Sequence, residues 1–179
     1  MARPRCSVFI ATSLDGFIAR ADGAIDWLSI VETPGEDYGY ARFFAGVDAL
    51  ILGRRTYDTA LGFPAWPFGG KRCVVFTHDP PAARHGERFH SGSPAALLAE
   101  LHAAGVARAY VDGGALIRSF LREDLIDDIT LSIVPVLLGD GIRLFDASVP
   151  ARRLRLTDSR AFASGLVQVQ YERAHPYMR

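Results

Sequence analysis

The chain has 179 residues, of which 49% are hydrophobic and 22% are charged, a composition typical of one ordinary globular domain. Its 20 basic and 20 acidic side chains cancel, which argues against a general nucleic-acid or anionic-membrane binder. No run reaches the roughly 18 apolar residues of a membrane span, and two cysteines are too few for a disulfide scaffold. We therefore expect a single cytoplasmic domain over residues 1–179.

Predicted strands and helices alternate along the first two thirds of the chain. Short apolar, partly β-branched runs predict buried strands over residues 7–11, 49–52, 73–76 and 109–111. Helices are predicted over residues 37–44, 93–105 and 114–121, the second with Ser93 as N-cap and Pro94 in its first turn. Residues 13–35 show little periodicity, and loops of that length in compact domains are usually functional.

The last third contains three predicted strands without helices between them, over residues 129–138, 152–158 and 166–172. Alternating strands and helices followed by consecutive strands predict an α/β fold with a mostly parallel sheet and an antiparallel C-terminal hairpin. Pro135 favours an edge position for the long strand 129–138. An exposed apolar edge needs covering, which indicates a homodimer.

Two predicted strands end in residues that suit a phosphate. The second strand is followed by Gly53, Arg54, Arg55 and Thr56. Backbone N–H groups at such a turn can face an anion, and guanidinium groups add charge-assisted hydrogen bonds. Gly113 and Gly114 follow the strand at 109–111 and permit close approach of a ligand. Each turn could also be purely structural, but open α/β sheets bind ligands beyond the carboxyl ends of their strands.

These motifs, with two others in the same chain order, resemble the dihydrofolate reductase superfamily. The similarity is greatest to the reductase domain of bifunctional riboflavin-biosynthesis deaminase/reductases and to its stand-alone relatives. The matching segments are TSLDGFIA at 12–19, LGRRTY at 52–57, VDGGAL at 111–116, and the tail from LIDD at 125–128 to PVLLG at 135–139. The resemblance implies a three-layer dihydrofolate reductase-like fold and hydride transfer from NADPH to a small pyrimidine- or pteridine-like molecule. It also implies a homodimer.

The resemblance implies a cofactor site at both turns. The Gly-Arg-x-Thr turn would hold the NADPH phosphates, with Arg54 or Arg55 near the 2′-phosphate. The Gly-Gly turn would lie against the cofactor and, as in dihydrofolate reductase, contain a cis peptide. The implied cofactor residues are Ala11, Ile18, Ala19, Gly53, Arg54, Arg55, Thr56, Thr77, His78, Gly113, Gly114, Ala115, Leu116 and Ile117.

On the substrate side, the family's catalytic carboxylate maps to Asp37, counted back from Gly53. A buried carboxylate there would accept hydrogen bonds from an amino-pyrimidine edge; the alternative is an acid in the first turn of a helix, placed to suit the helix dipole. Trp27 resembles the tryptophan that closes the substrate side, with plain packing as its alternative. Ser13, Asp15 and Tyr57 complete the expected substrate residues, and Tyr57 fits the core equally well.

The sequence departs from the riboflavin-pathway reductases after the Gly-Arg-x-Thr turn. Those enzymes carry a Pro-x-Leu segment and an arginine for the substrate phosphate, whereas residues 62–72 here are GFPAWPFGGKR. A phosphoribosylamino-pyrimidine substrate is therefore in doubt. The deaminase zinc motif is missing from the sequence, the histidines lack ligand spacing, and no metal is expected. The alternative function is a non-catalytic NADP(H)-binding module.

Overall fold

The computed structural model describes residues 2–174, so Met1 and residues 175–179 of the expected domain lie outside the described residues. Eight strands form one sheet in the order β5-β4-β3-β6-β1-β7-β10-β9. Their bounds are β1 Arg5–Ser13, β3 Ala49–Gly53, β4 Arg72–Phe76, β5 Arg88–His90, β6 Arg108–Asp112, β7 Asp128–Val134, β9 Leu154–Ala161 and β10 Val167–Arg173. A separate two-stranded sheet pairs β2 (Phe17–Ala19) with β8 (Ile142–Arg143).

The pairing of the strands confirms the predicted sheet. All neighbours from β5 to β7 are parallel, whereas β10 runs antiparallel to both β7 and β9. The C-terminal strands therefore form the predicted hairpin. The predicted strand 129–138 is shorter than expected and ends at Val134, because Pro135 terminates it.

The predicted edge position of that strand is wrong. β7 lies between β1 and β10, and its register with β1 runs from Ser7↔Asp128 to Ser13↔Val134. The edge on this side of the sheet is β9, whose residues are all exposed.

Helices cover both faces of the sheet and give the predicted three layers. They are α1 Tyr40–Ala45, α2 Arg54–Leu61, α3 Pro94–Ala103, α4 Gly114–Arg122 and a short 3₁₀ helix, Asp26–Val31. Alternate residues of a strand point to opposite faces. Ile51 therefore packs in the cluster that contains α3 and α4, while Leu50 and Leu52 pack in the cluster with Tyr57 of α2.

The predicted start of α3 is confirmed, whereas the predicted start of α1 is corrected. The Ser93 side chain accepts a hydrogen bond from Ala96 N at 3.2 Å and Pro94 opens α3, which confirms that cap. The helix predicted from residue 37 begins only at Tyr40, because Gly39 has a left-handed φ of 82°. Among residues 2–174, no helix combines the length and apolar character needed to cross a bilayer.

Candidate functional site

The two glycine turns meet at the carboxyl edge of the sheet. β3 and β6 are parallel neighbours with Leu52 beside Asp112, so the turns that follow them lie together. A Cβ placed on Gly113 would lie 2.7 Å from Thr56 Oγ1 and 3.3 Å from Gly53 N, and Gly113 has a φ of +112°. Only glycine tolerates both this close contact and the positive φ. The contact between the two turns therefore requires glycine at position 113.

The contact brings the N-termini of two helices next to each other. α2 begins after Gly53 and α4 after Gly113, and neither glycine offers a capping side chain. The first helical hydrogen bond of α4 runs from Ile117 N to Gly113 O, so the preceding N–H groups, through Leu116, lie outside the helical ladder. Such N–H groups and the positive helix ends suit phosphate oxygens, so this cradle fits the pyrophosphate of a dinucleotide.

The expected cofactor residues of α4 differ in their exposure to solvent. Ala115 is exposed, whereas the side chains of Leu116 and Ile117 are 5% and 0% exposed and belong to the core. Ile117 is therefore corrected to a core residue, because its N–H is also used within the helix. The expected cis peptide is wrong as well: residues 2–174 contain no cis bond, so Gly113 and Gly114 are joined in trans.

The two arginines of the first turn have different surroundings. Arg54 Nε donates to both carboxylate oxygens of Asp58 at 2.9 and 3.0 Å, and its Nη1 donates to the carbonyl of Asp79. Arg55 is exposed, and within residues 2–174 its guanidinium group makes no hydrogen bond or ion pair. Arg55 is thus the arginine available to a ligand.

The expected adenosine-end residues lie beside Arg54. Thr77 follows β4, and its hydroxyl accepts a hydrogen bond from Asp79 N at 3.1 Å. The neighbouring His78 is exposed. The first turn and the end of β4 therefore form one polar corner.

β2 and β8 form a flap over the second turn. A Cβ on Gly114 would lie 2.5 Å from Ile18 Cδ1, so Ile18 rests directly on that glycine. Ala19 pairs with Ile142 in the same flap, and Ala11 lies half-buried on β1. The structure thus places the expected nicotinamide-side residues on β1 and in the flap above the cradle.

Ser13 and Asp15 are used in holding a turn together. Ser13 is 1% exposed, and its hydroxyl donates to Asp15 Oδ1 at 2.6 Å and accepts from Phe17 N at 2.9 Å. Asp15 also accepts the N–H groups of Gly139 and Leu138 at 2.7 and 3.1 Å. The Ser13 hydroxyl and these N–H groups lower the pKa of Asp15 to about 2. Both side chains therefore hold this turn together, and their expected contacts with a substrate stay predictions.

Asp37 differs from the expectation in position and environment. It precedes α1, is exposed, and accepts the N–H groups of Ala41 and Gly39 at 2.9 and 2.8 Å. These hydrogen bonds lower the pKa of Asp37. The expected partial burial is therefore wrong, and the arrangement matches the alternative of an acid serving the first helical turn.

The two aromatic substrate residues lie in the core. Tyr57 is 0% exposed and donates its hydroxyl to Glu87, so it has no surface for a ligand and is corrected to a core residue. Trp27 is 2% exposed and packs with Val134 and Leu166. Its indole N–H is buried with no acceptor among the described residues. Buried indole N–H groups usually find a partner, so this one suits a water or ligand oxygen.

Asp112, which was not among the expected site residues, lies where both turns begin. It is half-buried at the end of β6 and shares a sheet face with Tyr110, which packs against Phe43 at 5.0 Å between ring centroids. Burial raises the pKa of Asp112 to about 6, against the opposing effects of Gly113 N–H and the Tyr110 hydroxyl. The sequence signal was an acid at the end of an otherwise apolar strand, next to Gly-Gly.

The sequence profile of the RibD C-terminal domain family matches residues 68–168. The uncharacterized protein YwjB of Bacillus subtilis is 39% identical over 170 residues, covering 93% of this chain and 97% of YwjB. The riboflavin biosynthesis protein RibD of Corynebacterium ammoniagenes is 31% identical over 160 residues, which cover 79% of this chain and 46% of RibD.

A solved structure from Shewanella sp. PV-4, whose name places it in riboflavin biosynthesis, superimposes with a TM-score of 0.89. It is 35% identical, and the match covers 96% of this chain and 99% of that one. Profile, relatives and structure agree with the resemblance found in the sequence motifs: the chain belongs to the RibD C-terminal domain family.

Proposed function

We propose that the protein is an NADPH-dependent reductase that transfers hydride to a small pyrimidine- or pteridine-like heterocycle. The observation that carries the proposal is the contact between Gly113 and the Gly53–Thr56 turn, which brings the N-termini of α2 and α4 next to each other. Membership in the RibD C-terminal domain family supports a reductase. The Shewanella protein and RibD, as named relatives, support a substrate related to riboflavin precursors.

In this proposal, each part of the cradle binds one part of the cofactor. The N–H groups before Ile117 and those that open α2 would hold the pyrophosphate. Arg55 would bind the 2′-phosphate, because a guanidinium group matches a phosphate in a bidentate contact. Thr77 and His78 would border the adenosine. Ile18 and Ala19, in the flap, would exclude water above the nicotinamide.

The nicotinamide would supply the hydride, and the protein would supply orientation and electrostatics. Asp112 would hold the substrate, because its carboxylate is half-buried at the junction of the two turns. With a pKa of about 6 it is mainly ionised at pH 7 and would accept N–H groups of an amino-heterocycle. Below pH 6 the protonated carboxyl would donate a hydrogen bond to a ring nitrogen or carbonyl oxygen instead.

Oxidation of NADPH, followed by absorbance against a panel of pyrimidines and pterins, tests the proposal. Turnover with at least one heterocycle is expected. NADPH binding without turnover of any panel member would favour the alternative, a non-catalytic NADP(H)-binding module.

A further inference from the structure

The flap formed by β2 and β8 is attached to α4 through one side chain. Arg118, in the second turn of α4, donates from Nη1 to the carbonyl oxygen of Arg143 at 2.6 Å. The same nitrogen lies 3.4 Å from the carbonyl oxygen of Leu144, and Nε lies 2.9 Å from Asp146 Oδ2. The guanidinium group of Arg118 therefore joins α4 to Arg143 at the end of β8 and to Leu144 and Asp146 just after it.

The Arg118 side of these contacts is shielded from solvent, whereas Arg143 and Asp146 are exposed. The side chain of Arg118 is 17% exposed, and Leu144 is 1% exposed within the core cluster that contains α4. Hydrogen bonds from a charged donor contribute more to stability than neutral ones, particularly when water is excluded. Arg118 is thus suited to hold the flap in one position.

The flap is also joined to the turn that leaves β1. Leu144 N donates to Gly16 O at 3.1 Å, and the guanidinium group of Arg143 stacks 4.5 Å from the centre of the Phe17 ring. Arg118 Nη1 would lie 3.3 Å from a Cβ on Gly114. Arg118, on the helix α4 that begins at the cradle, therefore contacts the flap that lies over the cradle.

We propose that Arg118 is a positioning residue, which fixes the β2–β8 flap at the height over Gly114 that cofactor binding requires. The proposal rests on the proposed function only for the identity of the ligand. Arg118 acts through the carbonyl oxygens of Arg143 and Leu144, and it touches neither substrate nor nicotinamide. Without it, Ile18 loses its fixed position on Gly114, and the flap opens more often in the ligand-free protein.

Hydrogen–deuterium exchange of the ligand-free protein tests the flap without any cofactor. In Arg118→Met, the Leu144 amide and the amides of the β2–β8 pair should exchange at least tenfold faster, while those of β3 keep their protection. Arg118→Lys should give intermediate exchange, because an ammonium group lacks the planar fork of guanidinium. Arg122→Met is the matched control, since Arg122 lies one turn further along α4 and binds the Ser148 hydroxyl outside the flap.

Titration with NADPH supplies the second measurement. Arg118→Met should weaken NADPH binding at least tenfold, Arg118→Lys less, and Arg122→Met by less than twofold. Unchanged exchange at Leu144 in Arg118→Met would overturn the proposal, and so would faster exchange with unaltered NADPH affinity. If the wild-type protein binds no NADPH, the proposed function fails, while faster exchange in Arg118→Met still supports a flap fixed by Arg118.

Discussion

Gly113 lies directly against Thr56, with the position of its missing Cβ 2.7 Å from Thr56 Oγ1. This contact joins the turn after β6 to the turn after β3, although Thr56 and Gly113 are far apart in the chain. The N-termini of α2 and α4 consequently lie next to each other.

Gly114→Val should abolish detectable NADPH binding while the protein still melts cooperatively. The added Cβ would lie 2.5 Å from Ile18 Cδ1, and the side chain would fill the space between α4 and the flap. Calorimetric titration and thermal melting measure the two effects. Normal NADPH affinity in this variant would show that the Gly-Gly turn is only structural.

Two further variants serve as controls for the glycine experiment. Gly69→Ala should change neither binding nor melting, because nothing lies within 4 Å of its added Cβ. Gly114→Ala should weaken NADPH binding less than Gly114→Val, since its single methyl group meets only the end of the Ile18 side chain.

Arg55→Met should weaken NADPH binding tenfold or more and leave NADH binding nearly unchanged. Loss of one charge-assisted contact to a phosphate costs about 1.5–3 kcal/mol, or one to two decades of affinity. Arg54→Met should reduce the preference for NADPH over NADH less than Arg55→Met does, because Arg54 already binds Asp58 and the carbonyl of Asp79. The reverse order in paired titrations would assign the 2′-phosphate to Arg54.

The sequence was sufficient to predict the parallel sheet, the C-terminal hairpin, α3 and α4, and the position of both turns at the carboxyl ends of their strands. It did not predict α2, β2, β5 or β8, nor the contact between the two turns. Buried apolar strands, the Ser93 cap and the glycines carry strong local signals. The edge position of strand 129–138 was wrong, because Pro135 only ends the strand, and which strands flank it depends on long-range pairing.

The substrate side was harder to predict from sequence, for a physical reason. Asp37 and Asp112 are both acids near the ends of secondary structure, and only their three-dimensional surroundings distinguish them. Asp37 accepts two backbone N–H groups in solvent, whereas Asp112 is half-buried beside Tyr110. Similarly, a tyrosine one residue after Thr56 could face the pocket or the core, and packing against Glu87 places it in the core.

Asp112→Asn should stabilise the folded protein at pH 8 and have little effect at pH 4. Burial raises the pKa of Asp112 from 3.8 to about 6, so the ionised carboxylate is the disfavoured form in the folded state. Its cost is absent below pH 3.8, grows as the pH rises to 6, and reaches at most about 3 kcal/mol above it. Urea unfolding across this pH range measures the effect, and a constant difference between the proteins would contradict it.

Kinetics of two matched variants will distinguish the candidate substrate carboxylates. With a substrate found by the panel, Asp112→Asn should lower kcat at least tenfold and leave NADPH affinity nearly unchanged. Asp37→Asn should leave kcat intact and cause a small loss of thermal stability, because its carboxylate serves the start of α1. The opposite result would return the substrate contact to Asp37.

We propose that the chain forms a homodimer through the open face of the C-terminal hairpin. Leu154 and Leu156 of the edge strand β9 are 36% and 51% exposed, and Val167 of β10 is 40% exposed. Light scattering at micromolar concentration should give twice the monomer mass, and Leu156→Arg should shift it to the monomer. Phe63→Arg, at a residue 46% exposed just after α2, is the control and should leave the mass unchanged.

A calorimetric titration of the wild-type protein with NADPH and then NADH measures whether the joined glycine turns hold NADPH. We expect saturable, one-to-one binding of NADPH, with NADH at least tenfold weaker because it lacks the 2′-phosphate that Arg55 would bind. Equal affinities for the two cofactors, or no binding of NADPH, would contradict it.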